Sequence, residues 1–205
     1  RHKVTHRRNA PVYAKLLQLV DPYAYRSRFT MPKCLINATG DEFFLPDSSQ
    51  FYFDDLPGEK HLCYVPNSNH SLQGTDALDT ILAYYFSIAH GIPRPRFRWQ
   101  YKAPGLLSVD TETTPTRVRL WQAHNPKARD FRVQTIGRAY RSEELVPHSE
   151  KQYRVDIPAP EEGWAAFFIQ LEFDVGAPTP LRLTTPAYVI PEKLPFSASQ
   201  APELP

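Results

Sequence analysis

The sequence predicts two fold classes in succession, an α/β half followed by an all-β half. Three observations carry this reading. The first 92 residues alternate helical and strand-like apolar segments, the hydrophobic period changes to two beyond a stiff PRPR linker at 93–96, and turn signals then separate many of the segments. The first half reads as the carboxy-terminal portion of a parallel sheet. The second reads as an immunoglobulin- or fibronectin-like β-sandwich.

Residues 11–20 (PVYAKLLQLV) form the first predicted helix, with Pro11 in the first turn and Val12, Leu16, Leu19 and Val20 on one side. Asp21-Pro22 ends it, because the residue before a proline is pushed out of the helical region. Lys33–Ala38 (KCLINA), bounded by Pro32 and Gly40, reads as a buried strand, and Lys60–Val65 (KHLCYV), closed by Pro66, as a second. Between them one short helix is expected to start near Asp47 and stop before Pro57-Gly58. The clearest helix runs from about Ser71 to His90. Leu78, Ile81, Leu82, Tyr85, Phe86 and Ala89 recur on one face, and Gly91 terminates it. A βαβ order of this kind requires a parallel sheet, and two strands are too few to complete one. Residues 1–92 are therefore expected to need further strands from elsewhere.

In the second half apolar residues alternate with polar ones along Arg117–Leu120, Gln152–Ile157, Phe167–Val175 and Leu181–Thr184. Further strands are expected near 98–102, 106–111, 131–136 and 139–145. The resulting seven or eight short strands assign 93–190 to the sandwich and leave 191–205 as a Pro-rich tail. Pro at 21 residues, about twice the usual ~5% share, suits this architecture better than a helical bundle. A 41% hydrophobic content supplies real cores and argues against disorder.

Composition also excludes some functions. A net charge of +2 gives no strong field for nucleic acid, and the basic opening Arg1–Arg8 reads as a solvated terminal segment. No apolar run approaches the ~18 residues of a membrane span, and no signal peptide opens the chain. Without CxxC or HExxH spacing, neither a structural zinc site nor a catalytic metal built on His61, His70 and nearby acids is expected, and no cofactor is called for.

Chemistry is expected at the carboxyl ends of the parallel strands. Asp41 follows the strand 33–38 and His70 follows the strand 60–65, so adjacent strand tips bring an acid to a base. A carboxylate beside an imidazole fixes its tautomer and stabilises the imidazolium that forms. Acid before base, with a nucleophile ahead of both, is the chain order of the α/β-hydrolase parallel sheet. Glu42, Asp47 and Asp54 are rival acids further from the strand tip. Phe43, Phe44, Phe51, Tyr52 and Phe53 either line a substrate pocket or pack the sheet, and Trp99, Trp121 and Trp164 either form a sugar-binding face or pack between layers.

The segment Asp21–Leu72 closely resembles the PhoPQ-activated pathogenicity-related protein family. The residues that carry this are Asp21-Pro22-Tyr23, NATGDEFF (37–44), FDDLPG (53–58) and PNSNHSL (66–72), with LWQAHNPKARDFR (120–132) matching the family's carboxy-terminal β-domain. The resemblance spans nearly the whole chain. It implies an α/β-hydrolase-like domain followed by an immunoglobulin-like domain, in exported proteins (secreted or periplasmic) linked to virulence and envelope stress. It puts Asp41 and His70 at the family's acid and base positions.

The nucleophile is missing. No GxSxG occurs; Ser27 precedes the first strand, Ser48 and Ser49 lie past the acid, and Ser68 and Ser71 flank His70. The sequence thus reads as a fragment of a serine hydrolase acting on an ester or amide, with the nucleophile on an amino-terminal partner from the same protein or a second chain. A non-catalytic binding or signalling protein is the alternative, since fold does not fix function. Cys34 and Cys63 each stand seven residues before the acid and the base, at matching depth on neighbouring strands. Two buried thiols are favoured over a disulfide, because direct bridges within a parallel sheet are uncommon.

Overall fold

Two β-sheets dominate the computed structural model, which describes residues 10–102 and 104–195. The basic opening Arg1–Arg8 and the Pro-rich tail beyond residue 195 lie outside the described residues. Among the described residues there are three α-helices, α1 (Pro11–Val20), α2 (Ala77–Ala89) and the single turn α3 (Val133–Ile136), and two 3-10 helices, Pro22–Arg28 and Ser48–Phe51, the latter where one short helix is expected from the sequence. The strands are β1 (Lys33–Ala38), β2 (Lys60–Val65), β3 (Phe97–Lys102), β4 (Leu106–Thr111), β5 (Arg117–Asn125), β6 (Arg141–Glu144), β7 (Gln152–Asp156), β8 (Trp164–Phe173), β9 (Leu181–Thr184) and β10 (Tyr188–Ile190). The larger sheet runs β1-β2-β9-β8-β5-β6, with β10 also paired to β8; the smaller is β3-β4-β7.

This arrangement overturns the expected succession of an α/β-hydrolase parallel sheet and a separate sandwich. β1 and β2 do pair in parallel, Lys33 opposite Lys60 through Ala38 opposite Val65. The other edge of β2, however, meets an antiparallel strand: Leu62 pairs with Thr184 of β9, and Tyr64 N–H donates to Thr184 Oγ1 at 3.0 Å. The parallel pair is therefore an extension of a mixed, mostly antiparallel sheet. β1 has no strand on its far edge among the described residues.

The packing follows from β8, which is buried from Ala165 to Phe173. Its odd-numbered side chains (Phe167, Ile169, Leu171, Phe173) join Leu107, Val109, Tyr153 and Val155 of the smaller sheet in one core. Its Phe168 and Ala166 join Phe53, Leu62, Tyr64, Phe131 and Tyr140 in a second. Alternation in the sequence predicts a solvated second face for this strand. The structure covers it instead, and the two polar side chains of the strand find partners there: Gln170 Oε1 accepts from Trp121 Nε1 at 3.2 Å, and Glu172 is paired with Arg119 and Arg182. The three tryptophans pack against this second core.

Other local expectations shift for physical reasons. α2 begins at Ala77 rather than near Ser71, because the hydroxyl of Thr75 accepts the Ala77 N–H and bonds the carbonyl of Leu72 in a turn. Its buried side is Ala77, Thr80, Ala83, Tyr84 and Ser87; Leu78, Ile81, Leu82 and Tyr85, the predicted core face, are exposed. The apolar side of α1 (Val12, Leu16, Leu19, Val20) is exposed as well. The expected strand 131–136 is replaced by α3, since the Asp130 carboxylate accepts the Arg132 N–H at 3.1 Å and starts a turn that Gly137 closes at φ 63°. Cys34 and Cys63 are free thiols, out of step by two positions: Cys34 lies opposite His61 and Cys63 opposite Ile36. No helix among the described residues is long and apolar enough to cross a membrane.

Candidate functional site

Asp41 and His70 meet at the ends of β1 and β2. The β1–Asp41 turn is fixed by Gly40, whose N–H donates to Ser68 O at 2.9 Å and whose carbonyl accepts from Val133 N at 3.1 Å. No larger residue fits: a Cβ at Gly40 would stand 2.6 Å from Val133 Cγ2 and 2.9 Å from Val133 N. Close backbone approach, rather than an unusual φ, is the reason for glycine here.

The Asp41 carboxylate is fully engaged. Oδ1 accepts from the N–H groups of Phe43 (2.7 Å) and Phe44 (3.2 Å), and Oδ2 lies 2.8 Å from His70 Nδ1. Its side chain is only 8% exposed, whereas that of His70 is 51% exposed. Glu42 Oε2 accepts the backbone N–H of His70 at 3.2 Å, so neighbouring acids hold both the ring and the main chain of the histidine. An ionised carboxylate only accepts, which places the proton on Nδ1 and leaves the Nε2 lone pair outward. Among the described residues no hydrogen bond is made to Nε2, and no serine hydroxyl reaches it: Ser68 Oγ donates to Val65 O and Ser71 Oγ to Asn69 Oδ1.

The loop that presents His70 is tied to the β-rich half. Asn67, at φ 55°, takes the Tyr140 N–H on Oδ1 and gives its amide to Tyr140 O. Its own N–H donates to Thr39 Oγ1 at 3.0 Å. The rival acids are otherwise occupied. Glu42 serves His70, and Asp47 forms a buried pair with Arg129 at 2.5 Å. Asp54 lies in a separate recess bounded by Trp99 and Tyr188.

Phe43 packs edge-on against the His70 ring at 4.9 Å and Phe44 tilts at 6.0 Å. Both are exposed and wall a cavity of about 620 Å³ that includes Asp41. Of the expected aromatic group, Phe53 enters the core and Tyr52 packs against it. The opposite wall, Lys127–Arg132 between β5 and α3, comes from the β-rich half. Sequence reasoning matches this stretch to the family but gives its residues no place at the site. Its order rests on Asp130, which takes Arg132 Nη2 at 2.6 Å and Thr135 Oγ1 at 2.8 Å; the Arg132 bond holds the Asp130 carboxyl down at about 2.

Other titratable groups answer to burial. The Glu59 carboxyl is lowered by a two-point bond from Arg94 (2.5 and 2.6 Å), while His61 beside it is lowered because desolvation opposes its charge. Among the described residues no group of three or more His, Cys, Asp or Glu is placed to hold a metal.

Comparison with known proteins bears on this geometry. The family model described as PhoPQ-activated pathogenicity-related protein matches residues 1–132, a stretch that contains Asp41, His70 and the Lys127–Arg132 wall. A relative named "Autocrine proliferation repressor protein A", from Dictyostelium discoideum, is 32% identical over 217 aligned residues, covering 93% of this chain. The chain spans 44% of that relative's length. No solved structure matches. With the family model covering 132 of the 205 residues, the chain belongs to the PhoPQ-activated pathogenicity-related protein family.

Proposed function

We propose that Asp41 and His70 are the acid and base of a serine-type hydrolase that cleaves an ester or amide. The observation that carries this is the 2.8 Å bond from His70 Nδ1 to a nearly buried carboxylate, with Nε2 unpartnered among the described residues and a cavity lined by Asp41 and by the two phenylalanine rings that pack on His70. In that arrangement Nε2 takes the proton from an attacking hydroxyl as it bonds to the substrate carbonyl, and Asp41 stabilises the imidazolium. The imidazolium then protonates the departing alcohol or amine, and water releases the acyl group by the same route in reverse.

The hydroxyl comes from polypeptide outside this chain, either an amino-terminal portion of the same protein or a second chain. The edge of β1 that has no strand among the described residues, and the exposed apolar sides of α1 and α2, offer it a seat. An exported setting, secreted or periplasmic, fits the family description and the word "autocrine" in the relative's name. The test is fluorophosphonate labelling and turnover of a test ester by the complete protein. His70→Ala is expected to lower turnover by roughly a thousandfold or more while leaving the protein folded; undiminished turnover removes His70 from the mechanism.

A second reading rests on the relative's printed name: a binding or signalling protein that acts without hydrolysis. A complete protein that neither labels nor turns over, yet retains its effect on cells, would favour it.

A further inference from the structure

We infer that the recess bounded by Trp99 and Tyr188 takes a small organic cation, an alkylated ammonium group of the choline kind. Neither Asp41 nor His70 lines this recess, and nothing in the hydrolase reading is used to argue it.

Three separate stretches of chain bring aromatic rings together here. Trp99 and Tyr101 stand two apart on β3 and so share a face. Tyr188, from β10, stacks on Tyr101 with ring centroids 4.0 Å apart, and Phe53, ahead of β2, lies 5.8 Å from Trp99. Phe51 adds a fifth lining ring that is 71% exposed. The recess holds about 440 Å³, within the roughly 300–1,000 Å³ of small-molecule sites. The face of an aromatic ring is electrically negative, so walls of this kind favour a cation over a neutral group of the same shape.

The charges on the lining carry the same preference. Asp47, Asp54, Arg129 and Glu192 are its four charged residues. Arg129 and Asp47 neutralise each other in their buried pair. Asp54 and Glu192 are exposed and take part in no ion pair among the described residues, which leaves two negative charges against none. Both act on the tyrosine pair. Burial first, and the Glu192 carboxylate second, push the Tyr101 phenol up to about 12; burial, Tyr101 and then Asp54 raise Tyr188. The phenols are therefore neutral at pH 7, and the charge of the recess is that of its carboxylates. Lys60 and Lys193, neighbours by contact and by sequence, do not line it. Lys60 Nζ stands 5.1 Å from the Phe53 centroid and donates to the main-chain oxygens of Asp54 and Leu56, not to a carboxylate. Counting Lys60 against Asp54 still leaves Glu192 unmatched.

The test is calorimetric titration of the complete protein with choline and with 3,3-dimethylbutan-1-ol, its neutral carbon isostere. Choline is expected to bind about fivefold more tightly or better, the worth of one cation–π contact. The double variant Asp54→Asn/Glu192→Gln should cut that preference at least about twofold, and Phe51→Ser should weaken both ligands. All three positions are exposed, so the variants keep the fold. Equal affinity for the two ligands, binding of neither, or a preference unchanged in the double variant overturns the inference. Phosphatidylcholine vesicles separate the sources of such a group. Co-sedimentation supports a lipid headgroup, and choline binding without it supports a soluble cation. Turnover is not read in any of these arms, so loss or retention of esterase activity bears on the hydrolase reading alone.

Discussion

Asn67 and Tyr140 exchange two hydrogen bonds across 73 residues of chain, amide to carbonyl at 3.0 Å and N–H to Oδ1 at 2.9 Å. Tyr140 is buried, so removing the partner strands polar backbone away from water. Asn67→Ala is expected to cost about 1–3 kcal/mol, and to lower the melting temperature by about 2–4 °C for each kcal/mol. Calorimetry on the two proteins checks it; an unchanged midpoint would mean that water takes over both bonds.

The Arg129–Asp47 pair joins the same two regions more deeply, with side chains 6% and 9% exposed. Losing one member leaves a charge stranded in low dielectric. Arg129→Met should destabilise by about 3–5 kcal/mol, and the double variant Arg129→Met/Asp47→Leu should regain much of that. Denaturant titration of the single and double variants gives the coupling. Simple additivity would show that the pair does not act as a unit.

The cysteines should be inert while the chain is folded. Burial pushes the Cys34 thiol up to about 12 and raises Cys63 as well, so little reactive thiolate exists at pH 8. Iodoacetamide is expected to modify neither residue in the native protein and both in denaturant, as read by intact mass. Rapid native alkylation of Cys34 would show that the β1 edge opens.

Asp130 gives a pH signature. Its folded value, about 2, lies below the ~3.9 of an unfolded chain, because Arg132 bonds the ionised form. Its stabilising contribution is therefore complete above about pH 4 and lost as pH falls through about 2. Asp130→Asn should be less stable than the parent at pH 6, and the gap should close between about pH 4 and pH 2. Urea midpoints across that range provide the measurement, and a constant gap would contradict it.

Much of this was legible locally. Lys33–Ala38 and Lys60–Val65 stand as strands to the residue, because proline and glycine bracket short apolar runs. Placing Asp41 and His70 just past adjacent strands was enough to bring them together. What failed was non-local. Nothing near Leu62 announces that its partner is Thr184, and the helical period of α2 is the same whichever side is covered. In 131–136 the alternation of Phe131, Arg132 and Val133 mimics a strand, while the deciding signal is the Asp130 side chain just ahead of it. The cavity's far wall was invisible for the same reason: it is brought in by pairing within the larger sheet.

The antiparallel join between β2 and β9 also sets an order of events during synthesis. Tyr64 and Thr184 are 120 residues apart. At 5–20 residues per second a ribosome needs roughly ten seconds to travel from one to the other. Throughout that interval β2 carries an unpaired, strongly apolar edge beside the nascent Asp41–His70 pair. A chain that stops before β9 therefore lacks the strand that closes this edge of β2.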